Sequence, residues 1–151
     1  MIFLLILAQL AGEPGGICTA GDKPDLKCTP GVARQILQSE ICSTAWGLDN
    51  RHVTEQMKRE IAVRYGISWN DRAKYEFDHL IPRELGGSDD IKNVWPQPKA
   101  AAAKKDQLEN RFHKLVCTGE LSLHDAREQI VNDWIGAYER YIFKYTPPVN
   151  K

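Results

Sequence analysis

Tyr75-Glu76-Phe77-Asp78-His79-Leu80-Ile81-Pro82-Arg83-Glu84-Leu85-Gly86-Gly87-Ser88-Asp89-Asp90-Ile91-Lys92-Asn93-Val94-Trp95-Pro96 is the stretch on which the fold of this chain turns. An acid and a histidine stand side by side inside an apolar run, so a strand here sends Asp78 and His79 to opposite faces. Pro82 limits further ladder pairing, and Gly86-Gly87 followed by Ser88-Asp89-Asp90 marks a turn or loop. A second apolar piece, Ile91 to Trp95, returns the chain, and beyond Pro96 and Pro98 a helical pattern begins. The order is strand, loop, strand, helix, with Asp78, His79 and Asn93 placed to converge.

Outward on the C-terminal side, a helix is expected from about Lys99 to Val116, with Leu108, Phe112, Leu115 and Val116 on one face. Lys99, Lys104, Lys105, Arg111 and Lys114 outnumber Asp106 and Glu109 on that segment. A last helix is expected from Ser122, a cap with Asp125 three residues on, to about Phe143. Its face of Ala126, Ile130, Trp134, Ile135, Tyr138 and Ile142 is core-like and should pack over the strand-helix unit, which alone buries too little surface to fold. Outward on the N-terminal side, Thr54 caps a helix carrying Met57, Ile61, Ala62 and Tyr65 that stops at Gly66. Thr29-Pro30 reads as an N-cap and first helical position, with Val32, Ile36 and Leu37 as a short apolar face. Gly12 to Lys27 reads as loop or linker. The fold class that results is α+β, a small and mostly helical domain.

Twenty basic and twenty acidic residues cancel in the 151-residue chain. A nucleic-acid protein is usually basic overall, so the global charge argues against one, although local placement matters more than the sum. Met1 to Ala11 carries no charge and has the length of a signal-peptide h-region, too short to span a bilayer as a helix. It lacks a basic residue after Met1 and a clean Ala-x-Ala site, which leaves an uncleaved anchor or a buried first element as alternatives. Cys18, Cys28, Cys42 and Cys117 are an even count, as two disulfides in an exported chain require. Of the three pairings, Cys18–Cys28 with Cys42–Cys117 is preferred, because Cys42 and Cys117 sit at the ends of expected helices and their bridge closes a long loop. Four reduced thiols in a cytosolic protein is the alternative. The localisation expected is periplasmic or secreted.

The Asp78-to-Gly87 segment, the Asn93-to-Pro96 segment and the Lys105-to-Cys117 segment together resemble the HNH endonuclease superfamily, whose core is a ββα-metal finger. The chain looks especially like a bacterial group with a DHLIPxELGG…NxWP motif, and the fourteen residues from His79 to Asn93 match the superfamily's separation. The resemblance implies one nuclease domain over 28–145, with the finger at about 75–116 and a tail at 146–151. It implies that Asp78 is a metal ligand, that His79 is the general base, and that Asn93 orients His79 through backbone or side chain. Members often place His or Asn one turn into the helix, where this chain has Ala101 to Ala103. Asp106 is therefore the first candidate for the helix-borne ligand and His113 the second.

Phosphodiester hydrolysis needs an activated water, neutralised phosphate charge and a stabilised leaving oxygen, which a histidine and one hard divalent cation supply. The expected cofactor is one divalent ion, Mg²⁺, Mn²⁺, Ni²⁺ or Zn²⁺. The expected partner is a nucleic-acid substrate, DNA first and RNA second, met by Arg83, Lys99, Lys104 and Lys105. No stable membrane partner is expected after processing. Trp69 is the one tryptophan placed for base stacking. The rival reading is an exported, inactive nucleic-acid-binding or envelope-interaction module of the same fold, favoured by the zero net charge and by Ala100 to Ala103.

Overall fold

A computed structural model describes residues 16–144; the leader expected at 1–11, the first residues of the expected linker and the tail at 146–151 lie outside the described residues. It is a small mixed α+β domain with one two-stranded antiparallel sheet. Strand β1 (Tyr75–His79) pairs with β2 (Val94–Pro98), placing Asp78 opposite Trp95 and His79 opposite Val94. Pro96 and Pro98 are tolerated because each strand of a two-stranded sheet keeps one unpaired edge. Helices α1 (Gln38–Ser43) and α2 (Glu55–Arg64) precede the sheet, and α3 (Lys99–Cys117) and α4 (Leu123–Tyr138) follow it. A π turn over Glu139–Phe143 ends the described chain.

The helix starts at α2 and α4 agree with the side-chain caps expected of them. Thr54 Oγ1 accepts from Met57 N at 3.2 Å, and Ser122 Oγ from Asp125 N at 3.0 Å. The segment after Thr29-Pro30 departs from expectation, since it forms no helix. Gly31 turns it with φ +87°, and Val32 to Arg34 then run extended beside the loop, Arg34 N donating to Gly86 O and Ser88 N to Val32 O. Thr29 Oγ1 is 2.7 Å from the Tyr65 hydroxyl, so it serves the core rather than a cap. A tertiary pairing has replaced a local one.

The core between sheet and helices holds Phe77, Leu80, Val94, Trp95, Leu108, Phe112, Val116, Ile130 and Trp134, all buried. Each such side chain contributes roughly 1.5–3 kcal/mol on burial. Residues 16–27 are irregular, as expected of a loop, yet they are fastened to this core. Trp134 Nε1 donates to Asp22 O at 3.0 Å, and Lys23 pairs with Asp133 at 2.7 Å. Two disulfides close the structure in the preferred pairing, Cys18–Cys28 and Cys42–Cys117, the latter tying α1 to the end of α3. They are compatible with an oxidising compartment. Among the described residues no helix is long and apolar enough to cross a membrane.

Candidate active site

The loop between the strands is held by Asn93, which is fully buried. Its Oδ1 accepts from Val32 N at 3.1 Å and Ile81 N at 3.0 Å, and its Nδ2 donates to Ile81 O at 3.0 Å and Ser88 O at 2.9 Å. All of these partners are backbone, so Asn93 spends its whole side chain on the loop and none on His79. Its main-chain oxygen accepts from Leu80 N at 2.7 Å, directly after His79. The glycines let the loop close this tightly. Gly86 sits at φ +81°, and a Cβ on Gly87 would lie 1.7 Å from Ile81 O.

His79 is only 4% exposed, and its Nε2 stands 2.8 Å from Asp89 Oδ1. Burial and the positive Arg51 nearby push the imidazole down to about 4, against the pull of Asp89 and Asp78. Burial would raise the Asp89 carboxyl, but hydrogen bonds from the His52 N–H, at 2.8 Å, and from His79 hold it below the usual range. An ionised Asp89 facing a neutral ring fixes the tautomer. Nε2 carries the proton and donates to Asp89, leaving the lone pair on Nδ1.

Asp78 lies beside His79 and is tied from below by α3. The Lys105 ammonium, wholly buried, donates to Asp78 Oδ2 at 2.9 Å, to His79 O at 2.5 Å and to Glu109 Oε1. Burial opposes this charge, and the Asp78 and Glu109 carboxylates more than offset it, holding Lys105 above its ordinary range. Burial pushes the Glu109 carboxyl up, to about 8, against the Lys105 pull. The Lys105 ammonium is thus shared between the Asp78 and Glu109 side chains. Lys105 was expected to meet phosphate. The i,i+4 spacing to Glu109 and the fall of α3 against β1 turn it inward instead.

An open cavity of about 350 Å³ receives these groups, with Arg51, Glu76, Asp78, His79, Glu84, Asp106 and Glu109 in its wall. Of the three expected ligands, Asp78 and Asp106 share the cavity. His113 does not reach it, because its Nε2 donates to Ile41 O at 3.3 Å and lies 3.6 Å from Cys117 Sγ. Burial and then the Asp78 charge raise both Glu76 and Asp106 above the usual carboxylate range. Crowded carboxylates of this kind accept a hard cation. Among the described residues no three His, Cys, Asp or Glu side chains form a ready-made metal cage. Asp78 and Asp106 are oxygen donors, the type that a hard cation such as Mg²⁺ or Mn²⁺ takes, and they are the two residues here that could hold one.

The four expected phosphate contacts do not form one patch. Arg83 is drawn between Asp49 and Asp89 and donates to Asn50 O at 2.6 Å. Lys104 lines a separate cavity against Trp134 and Tyr138. Lys99 lines a cavity of about 440 Å³ next to the His79 site. In that same cavity the Trp69 ring expected to stack bases already bears Arg59, 4.2 Å from its centroid, and Arg72, at 5.0 Å.

Asp89, Arg51 and Glu109 were missed from sequence. Asp89 and Asp90 are adjacent acids in one turn, and nothing local shows that Asp90 caps Lys92 N while Asp89 turns in to His79. Glu109 did carry a signal, its i,i+4 spacing from Lys105. No protein-family model, curated protein or solved structure matches this chain.

Proposed function

We propose that this protein is a nuclease of the HNH kind, hydrolysing phosphodiester bonds of DNA with His79 as general base. The observation that carries the reading is the Asp89–His79–Asp78 arrangement, in which a neutral imidazole held through Nε2 borders an open acidic cavity. The antiparallel β1 and β2 followed by α3 support the ββα comparison that the sequence suggested.

In this reading His79 Nδ1 takes the proton of a water aimed at phosphorus, and Asp89 stabilises the imidazolium that forms. Arg51, whose guanidinium donates to Phe77 O, offers positive charge to the phosphate at the cavity mouth. Lys105 holds Asp78 oriented. Asp78 and Asp106 would hold a divalent ion, which supplies charge neutralisation at the phosphate and the leaving oxygen. The disulfides agree with action outside the cytosol, in the periplasm or the medium.

Lys105 also favours a second reading. An ammonium already neutralises Asp78, and a nucleic-acid-binding module without hydrolysis would keep the same stable cluster. Incubating purified protein with plasmid and Mg²⁺ or Mn²⁺, with and without chelator, separates the two. Nicking that the chelator stops supports the nuclease, and binding without nicking under every ion supports the module.

A further inference from the structure

We propose that the larger cavity beside the His79 site seats a single strand of DNA flanking the scissile phosphate, an inference that rests on reading that site as a nuclease. Its walls come from α2, the short 3-10 turn before β1 and the first residue of α3, and it holds about 440 Å³. Arg51, Lys58, Arg72 and Lys99 line it. Of its two acids, Glu55 is drawn off by Arg59 at 2.8 Å, and Glu76 lies on the border with the smaller cavity. Among the described residues none of the four cations is ion-paired. In a chain of zero net charge this concentration is a local feature, not a consequence of general basicity.

Continuity gives the cavity its direction. Arg51 and Glu76 line both this cavity and the one holding His79, so a phosphate chain leaving His79 passes Arg51 to enter the seat. Arg72 is fixed for its task. Its Nη1 donates to Trp69 O at 2.9 Å, and its guanidinium lies over the Trp69 ring. A guanidinium backed by an aromatic ring offers charge to a phosphate and a flat face to a base. Such faces inside a concavity meet bases only when these are unstacked, which selects a single strand over a duplex.

The test is fluorescence anisotropy with a labelled twelve-residue thymidine oligonucleotide and a duplex of equal length, in EDTA so that nothing turns over. The single strand should bind more tightly than the duplex. The double variant Lys58→Gln with Arg72→Gln should bind it about tenfold more weakly, and its salt slope should fall by about 1.4, two single-strand phosphate contacts. Lys99→Gln should weaken binding in the same direction as an independent check, and Lys114→Gln, which lines neither cavity, should match the wild type. Unchanged affinity in the double variant, or tighter binding of the duplex, overturns the proposal. Expected anisotropy without cleavage under any ion supports the seat and removes the nuclease; cleavage with unchanged anisotropy in the double variant does the reverse.

Discussion

Asp89 Oδ1 lies 2.8 Å from His79 Nε2, an acid from the inter-strand loop reaching back to the last residue of β1. The pair acts as a unit, the carboxylate choosing the tautomer that leaves Nδ1 basic. His79→Ala should lower cleavage by about 10²–10⁴-fold, the usual share of a general base. Asp89→Ala should lose part of that, and the double variant should be no slower than His79→Ala alone. Plasmid nicking rates measured on variants with unchanged circular dichroism check this. Additive losses would separate the two residues.

The low His79 value predicts a pH dependence whose sign follows from linkage. Above pH 6.5 the ring is neutral both folded and unfolded and contributes nothing. Between 6.5 and about 4 the unfolded chain takes up a proton that the buried ring refuses, so stability falls as pH falls, by up to about 3 kcal/mol. Arg51 reinforces the effect and Asp78 and Asp89 oppose it. NMR should place the His79 midpoint near 4, and in urea unfolding this part of the acid loss should vanish in His79→Gln. A midpoint near 6.5 would contradict the burial argument.

Asp106 shares the cavity with Asp78, whereas His113 is engaged at Ile41 O. Asp106→Ala should therefore lose Mn²⁺ binding by calorimetry and lose cleavage, while His113→Ala keeps most of both. The opposite ranking would move the ion away from the Asp78 cavity.

Lys105 is expected to be the costliest single truncation in the site. Lys105→Met leaves the Asp78 carboxylate buried without its cation, at about 3–5 kcal/mol. Glu109→Gln should cost less, because the amide oxygen can still accept from the Lys105 ammonium and Asp78 remains as its counter-charge. Urea denaturation of the two variants at pH 7 makes the comparison.

The two disulfides should differ in weight. On chain-entropy grounds the Cys42–Cys117 bridge, spanning 75 residues, contributes about 4.5 kcal/mol. The Cys18–Cys28 bridge spans 10 residues and contributes about 2.7 kcal/mol. Paired Cys→Ser variants compared by urea unfolding check the order, and mass spectrometry after alkylation without reductant should find no free thiol.

The elements that the sequence determined are those whose signals are local. Thr54 and Ser122 name helix starts because a cap is a contact over three residues. The apolar spacing of Leu108, Phe112 and Val116 reports burial directly, since a helix repeats its faces at a fixed period. Cys42 and Cys117 could be matched because helix ends limit where they lie.

Only the tertiary structure decided which of several equivalent polar residues turn inward. Val32 to Arg34 carry a helical pattern yet pair with the Gly86–Ser88 loop, because Asn93 takes the Val32 N–H and closes that loop. Lys105 and Lys104 are adjacent and alike in sequence, but the rotation of α3 against β1 buries one on Asp78 and leaves the other exposed. Asp89 and Asp90 divide in the same way between His79 and a turn. The physical reason is common to all three: a polar or charged group leaves water only where a partner offsets its desolvation, and the fold decides where that partner stands.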